Sequence, residues 1–212
     1  MSKAKARTIQ QRLGFMDNDL KSSKHDEIML WLDNAVENHF NQLITFQKEW
    51  KSKEFYVMDK GKELRDSQRE IFFKNLDLPE KPDMEVVKQI WEHPITTGRD
   101  SYIVGFADMR VDYYDSSLTY YANEDRFQIY NKEKKSIFFE AKSEIHSLGE
   151  LIRQIRMYQT YTTGEWFVVS PDSKFDAALE KQNIYFLKYE TERFCPDEAT
   201  GPDGTKYKIP IR

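Results

Sequence analysis

Residues 102–111, Tyr-Ile-Val-Gly-Phe-Ala-Asp-Met-Arg-Val, and residues 136–142, Ser-Ile-Phe-Phe-Glu-Ala-Lys, are the two apolar stretches that decide the fold. Side chains alternate between the two faces of a strand, so both stretches predict strands. Asp108 alternates with apolar neighbours on the first strand, and Glu140 and Lys142 share one face of the second. A carboxylate in the middle of an apolar strand is costly to bury unless it is paired or binds a metal. Two such strands, each with an acid, therefore predict a metal site.

A helix is predicted next, over residues 148–161. Ser147 and Glu150 form the capping-box pattern at its start, and its apolar residues recur at helical spacing. Gln154 and Tyr158 are four residues apart, so they lie on one side of the helix, at the border of its apolar stripe. A side chain at such a border reaches both a sheet face and a groove.

In this order, the three elements resemble the PD-(D/E)XK nuclease superfamily, and the Gln-x-x-x-Tyr element resembles its RecB-type branch. The residues that carry the resemblance are Asp108, Glu140, Lys142, Gln154 and Tyr158. Ala107 stands where the family's name has proline, at a position that varies in such motifs. The resemblance covers residues 86–190. It implies an α/β (α+β) fold with a restriction-endonuclease-like core, in which a central mixed β-sheet is flanked by helices.

The resemblance also implies a metal-dependent nuclease that hydrolyses phosphodiester bonds, with DNA as the expected substrate. Asp108 and Glu140 would hold Mg²⁺ or Mn²⁺, with the carbonyl of Ala141 as a further ligand. Mg²⁺ prefers oxygen ligands, and it polarises the phosphoryl group and lowers the pKa of bound water. Lys142 would hold or activate the attacking water and offset negative charge. The two polar residues of the helix would orient the lysine and the phosphate or water.

Four further residues are candidates for auxiliary roles. Glu27, in the first turn of the N-terminal helix, or Glu92 would approach the metal, although an acid in a first turn also simply favours the helix dipole. Arg153 and Arg156 lie on the far side of the helix that carries Gln154. They are either nucleic-acid contacts or part of a solvated face.

Other interpretations of the same residues stay open. Asp108, Glu140 and Lys142 would also suit an ion-pair cluster that bridges two strands. The alternative function is a catalytically silent nuclease-fold module that binds nucleic acid or a protein partner. A third class is a different α+β binding module whose motif matches arise by chance.

Composition bounds the function classes. The chain has 212 residues, 32% of them charged, and a net charge of −4, which counts against a non-specific nucleic-acid coat but not against a nuclease. The single cysteine, Cys195, excludes an internal disulfide framework and predicts a reducing, cytoplasmic location. The absence of a run of about 18 apolar residues predicts no membrane span. The sequence shows no zinc pattern, no glycine-rich phosphate loop and no Ser-His-Asp elbow, and it leaves a homo-oligomer open.

The chain divides into three parts in this interpretation. Residues 1–85 form a helical N-terminal part packed on the core, residues 86–190 form the nuclease-like core, and residues 191–212 form a C-terminal extension. The predicted elements outside the motif are helices over 23–50 and 63–75, strands over 86–95, 127–130, 166–170 and 184–189, and a short helix that begins near Pro171.

Three further expectations concern particular positions. Trp91 and Ile95 are predicted to be buried. Residues 131–135, Asn-Lys-Glu-Lys-Lys, are predicted to form a hairpin turn into the Glu140 strand. Asp112 and Asp115 are rival acids that are predicted to lie at or beyond the end of the Asp108 strand.

Overall fold

The computed structural model describes residues 23–44, 49–98 and 102–194, except the side chains of 131 and 132, and the backbone of 199–200 and 206–207. The predicted helix end near Trp50 is wrong, because the helix ends at Leu43 and Trp50 is not helical. Residues 45–48 lie outside the described residues, and so does most of the predicted C-terminal extension. No helix in the described ranges is long and apolar enough to cross a membrane.

The described residues form helices and strands in a mixed order. The helices are α1 (Ser23–Leu43), α2 (Asp66–Asn75), α3 (Leu148–Gln159) and α4 (Asp176–Glu180). The strands are β1 (Phe55–Asp59), β2 (Lys62–Glu63), β3 (Glu85–Thr96), β4 (Ile103–Tyr121), β5 (Arg126–Ala141), β6 (Glu165–Ser170), β7 (Tyr185–Lys188), β8 (Ala199–Thr200) and β9 (Lys206–Tyr207). Short 3₁₀ turns precede β1, at Ser52–Glu54, and α4, at Ser173–Phe175.

Seven of these strands form one mixed sheet in the order β2-β1-β4-β5-β6-β7, with β3 also paired to β4. The pairs β1–β4, β5–β6 and β6–β7 are parallel, and β1–β2 is antiparallel. The connection from β4 to β5 spans only residues 122–125, which is too short for a parallel crossover. The expected α/β class, with a mixed sheet and flanking helices, is confirmed.

The two central strands are longer than the sequence predicts. Residues 131–135 continue as strand within β5, so the predicted hairpin turn is wrong, and the turn lies at 122–125 instead. Asp112 and Asp115 lie inside β4 and are buried, so the predicted strand end is wrong as well. The physical reason is that these acids have cations beside them: Lys134 approaches Asp112 to 3.2 Å, and Lys135 approaches Asp115 to 2.7 Å.

Smaller differences concern single positions. Ile95 is buried as predicted, but Trp91 is 41% exposed, so that prediction is wrong. The Trp91 indole lies at the surface because its Nε1–H donates to Asp33, 2.7 Å away. Pro171 precedes the 3₁₀ turn and α4 and begins neither, so the predicted helix start is too early.

Contacts divide the chain into two compact units, each of which combines separate segments. Of the described residues, the first unit contains 23–39, 90–98, 102–110 and 137–194. Its α1 portion ends at a kink, where His39 leaves helical geometry with φ −137° and ψ 22°. Its buried core lies around Phe138, Trp166 and Val168 and includes one face of α3.

The second unit contains residues 40–89 and 111–136. Its buried apolar cluster comprises Trp50, Phe55, Val57, Leu118 and Tyr120. The helix α2 contributes Phe72 and Phe73 to this cluster as half-buried neighbours. The predicted boundaries near residues 85 and 190 stay a prediction.

Candidate functional site

The neighbouring strands β4 and β5 bring Asp108 close to the Glu140 segment. Both carboxylates are nearly inaccessible, with Asp108 5% and Glu140 2% exposed. The backbone N–H of Ala141 donates to Asp108 Oδ2 at 2.8 Å. A buried carboxylate is stable only with such donors, so this hydrogen bond fixes the acid against the neighbouring strand.

Glu140 is the centre of a small polar group. The ammonium of Lys142 lies 3.0 Å from Glu140 Oε1, and the amide of Gln154 donates to the same oxygen at 3.0 Å. The second oxygen, Oε2, is also buried. Lys142 remains near the surface, with its side chain 12% exposed, and its backbone N–H donates to the Val169 carbonyl of β6. The strand pairing therefore sets where the lysine leaves the sheet.

Gln154 and Tyr158 are positioned by α3. The Ser147 side chain caps the start of this helix by accepting from the Glu150 N–H. The buried side chains of Leu151 and Ile155 hold it to the core of the first unit. Gln154 donates to the Tyr158 hydroxyl at 3.2 Å, as the four-residue spacing permits. A continuous chain of polar contacts thus runs from Lys142, directly after β5, to the tyrosine of α3.

Tyr158 lies directly against the backbone of Gly105. A Cβ added at Gly105 would lie 2.2 Å from the Tyr158 hydroxyl oxygen, which no side chain tolerates without displacement. Burial raises the pKa of Tyr158 and the charge of Glu140 adds to this, while hydrogen bonds from Gln154 and the Phe106 N–H oppose it. The phenol therefore stays protonated at neutral pH, both as an acceptor for Gln154 and as a donor.

His25 is a site residue that the sequence interpretation missed. It lies in the first turn of α1, is 5% exposed, and places Nε2 3.6 Å from Asp108 Oδ2. The sequence does indicate that His25 is buried, because His25 falls in the same helical stripe as the buried Ile28 and Leu32. That stripe shows that His25 faces the core, but not which strand it meets.

The auxiliary candidates lie elsewhere. Glu27 is exposed on α1 and lies outside the buried stripe that contains His25. Glu92 is half-buried in β3 and adopts a left-handed backbone conformation with φ +47°. Arg153 and Arg156 are exposed on α3, and Arg156 donates to Gln182 at 3.2 Å. The contacts of the Glu140 group come from Gln154 and Lys142 instead.

One rival acid, Asp115, belongs to a second charged group, the ion network of Glu54, Lys81, Asp115 and Lys135 in the second unit. Each of its two lysines lies 2.7–3.0 Å from both of its acids. Burial by itself raises the pKa of Asp115, but hydrogen bonds and charges from Lys135 and Lys81 outweigh this and lower it. Because its charges balance within the network, this group is a structural ion cluster by its geometry.

The donor chemistry of the first site suits a hard cation. Mg²⁺ is commonly held by one or two carboxylates together with water and substrate phosphate, and Asp108 and Glu140 supply two carboxylates. Within the described ranges, no three His, Cys, Asp or Glu side chains are grouped closely enough to hold a metal by themselves. A metal at this site would therefore complete its coordination with water and substrate.

No protein-family model, curated protein or solved structure matches the chain.

Proposed function

We propose that the protein is a metal-dependent nuclease of the PD-(D/E)XK type that hydrolyses phosphodiester bonds in DNA. The observation that carries the proposal is the chain of contacts from Lys142 through Glu140 and Gln154 to Tyr158. Asp108 lies on the adjacent strand. These are the residue types, in the same chain order, that the family resemblance requires.

Each residue has a distinct role in this proposal. Asp108 and Glu140 are acceptors, so they would hold Mg²⁺ or Mn²⁺, which supplies a Lewis acid and lowers the pKa of bound water. Lys142 is a cation beside the acids and would stabilise negative charge on the reacting phosphate. Gln154 and Tyr158 would orient Glu140 and the lysine. His25, whose Nε2 lies 3.6 Å from Asp108 Oδ2, would help to position that carboxylate.

A second candidate function is a silent nuclease-fold module that binds without cleaving. The favouring observation is that the site is closed by its own side chains: Lys142 pairs with Glu140, and His25 lies beside Asp108. Such an ion-paired cluster stabilises two strands without any metal. The two candidates differ in whether Mg²⁺ binds and whether the lysine matters for turnover.

The test combines a cleavage assay with a metal titration. Labelled single-stranded and double-stranded DNA and RNA are incubated with the purified protein in Mg²⁺, Mn²⁺ or EDTA. Cleavage of DNA is expected with either metal and not in EDTA. Binding without cleavage under every metal condition would support the silent module instead.

Three variants separate the roles of the charged residues. Asp108→Asn and Glu140→Gln should each lose both Mg²⁺ binding and cleavage, because each removes a charged acceptor. Lys142→Ala should still bind Mg²⁺, because both carboxylates remain. Its cleavage should nevertheless fall by a factor of about 100 or more, the usual loss when a group that stabilises transition-state charge is removed. Wild-type cleavage by Lys142→Ala would contradict the catalytic role of Lys142 and show that it serves the structure alone.

A further inference from the structure

Arg110 lies two residues beyond Asp108 on β4 and is half-buried. Its guanidinium lies over the Phe138 ring, 5.8 Å from the ring centroid, and its Nη1 lies 3.3 Å from Nε2 of His93. Because Arg has only donors, His93 accepts this hydrogen bond through an unprotonated Nε2. The guanidinium is therefore held by a ring on one side and by an imidazole on another, and much of its conformational freedom is already lost.

The contacts place Arg110 on the face of the sheet that carries the candidate site. Arg110 lies two positions beyond Asp108 on β4, about 6.6 Å along the strand. Phe138, beneath the guanidinium, is two positions before Glu140 on β5, so these two side chains lie on one face of the sheet. Phe138 stacks on Trp166 at 5.0 Å, and Trp166 contacts Tyr158 at 5.4 Å. The packed rings thus connect Arg110 to the tyrosine of the site.

The charges around the candidate site point to a role for Arg110 in binding phosphate. The carboxylates of Asp108 and Glu140 repel a phosphate backbone, and a nucleic-acid strand carries a charge on every phosphate. Lys142 offsets one of these carboxylates through its ion pair with Glu140. The guanidinium of Arg110, over the ring of Phe138, adds positive charge near Glu140 and presents a planar donor set that suits phosphate oxygens.

We propose that Arg110 binds a backbone phosphate next to the one that is cleaved, with His93 and Phe138 as its positioning residues. The inference rests on the proposed nuclease function, because it takes nucleic acid as the ligand of this face. It adds a phosphate contact outside the motif residues. It also predicts how much the salt dependence of DNA binding falls when that contact is removed. The contact reads the backbone and not the bases, so it is independent of sequence.

The test measures binding of a labelled DNA oligonucleotide in EDTA, so that no cleavage interferes, over a range of salt concentrations. Arg110→Met keeps the length and apolar stem that pack on Phe138 but removes the charge. It should weaken binding of every oligonucleotide sequence to the same extent. It should also reduce the slope of log affinity against log salt by about one unit, the share of one phosphate contact. Arg126→Met makes the same chemical change at an exposed ion pair with Glu124 and should leave the slope unchanged.

The outcomes separate this inference from the proposed function. In the presence of Mg²⁺, Arg110→Met should raise KM while kcat changes little, because the contact acts equally in the ground state and the transition state. A wild-type protein that cleaves, together with an Arg110→Met slope equal to wild type, would overturn the inference and leave the nuclease intact. A wild-type protein that binds without cleaving, with the slope reduced in Arg110→Met, would support the phosphate contact and contradict the nuclease.

Two further results complete the test. Failure of the wild-type protein to bind any oligonucleotide would overturn both proposals. If Arg110→Met does not fold, as judged by thermal melting, Arg110→Gln replaces it. That variant also lacks the charge but keeps an amide donor for His93, so the same loss of about one unit of slope is expected.

Discussion

Gln154 is the residue through which α3 reaches the acidic strand. Its single amide group donates both to Glu140 and to the Tyr158 hydroxyl. An amide cannot replace a carboxylate as the anionic ligand of a hard cation, so its contribution is to hold Glu140 in one orientation. Its position therefore favours orientation over metal binding.

Gln154→Ala should reduce cleavage by about 10- to 100-fold, the usual loss when a partner that orients a metal ligand is removed. The increase in melting temperature on adding Mg²⁺ should remain, because both carboxylates are still present. Gln159→Ala, the same substitution at the end of the same helix, is the matched control and should cleave normally. Wild-type cleavage by Gln154→Ala would show that Gln154 and Tyr158 serve packing alone.

Residue spacing predicted much of this arrangement and missed one part of it. The period of strands and helices was enough to group Glu140 with Lys142 and Gln154 with Tyr158, since these are neighbours on a single element. His25 was missed because its partner, Asp108, is 83 positions away along the chain. Local periodicity shows that a side chain faces inward, whereas the identity of its partner depends on tertiary packing.

At the scale of elements, the approach of α3 to β4 depends on a missing side chain. The Tyr158 ring occupies the space that a Cβ of Gly105 would fill, and the Phe106 N–H hydrogen-bonds to the tyrosine. Gly105 is needed here for close approach and not for a special backbone angle. The distance between helix and strand is therefore set by one glycine.

Gly105→Ala should lower the free energy of unfolding by about 1–3 kcal/mol, because an added methyl group must displace a packed ring. Tyr158→Ala removes the ring, so the double variant should be more stable than the sum of the two single changes predicts. Urea unfolding of the four proteins measures this coupling. Gly149→Ala, in α3 with no atom within 4 Å of the new methyl group, is the control and should not destabilise. Equal stability of Gly105→Ala and wild type would contradict the close packing.

Element boundaries were predicted well where the pattern is apolar and poorly where it is charged. The strand β6 and the helix α3 follow apolar periodicity and begin within one residue of expectation. The lysine-rich residues 131–135 had the composition of a turn, yet they are strand, because Lys134 and Lys135 pair with acids of β4. Polar residues enter a strand at little cost when the neighbouring strand supplies opposite charges, and that information is not local.

At the scale of the whole molecule, buried charge makes stability depend on complete ion pairing. The ion network of the second unit holds two acids and two lysines, of which Glu54, Lys81 and Asp115 have side chains no more than 2% exposed. Burial by itself lowers the pKa of Lys135, but Asp115 and Glu54 outweigh it and raise that pKa. Removal of one acid leaves the two lysines with one acid of the network between them, and Lys81 is buried.

Asp115→Asn should lower the free energy of unfolding at pH 7 by about 3–5 kcal/mol, the usual loss when one partner of a buried ion pair is removed. The pKa of Asp115 is lower in the folded state, so its contribution is present above its ordinary value of 3.8 and is lost as pH falls through the folded pKa. The difference between variant and wild type should therefore shrink when urea unfolding is measured at pH 3.

Asp66→Asn removes an acid whose side chain is 89% exposed from its pair with Arg69 and is the control, with little change expected at either pH. A difference between Asp115→Asn and wild type that is equally large at pH 3 and pH 7 would contradict the ionic origin of this stability.

The stack of Phe138 on Trp166 also gives the protein an optical probe of its own. Trp166 is fully buried, donates its Nε1–H to Thr162 at 3.1 Å, and lies 5.4 Å from the tyrosine that contacts Gln154. Indole emission is sensitive to nearby rings, hydrogen bonds and charges, so the spectral difference between wild type and Trp166→Phe isolates light emitted beside the candidate site. A ligand that displaces Arg110 from above Phe138, or displaces Tyr158 of α3, would change this emission without any attached dye. Stopped-flow fluorescence would then measure the rate at which the ligand binds.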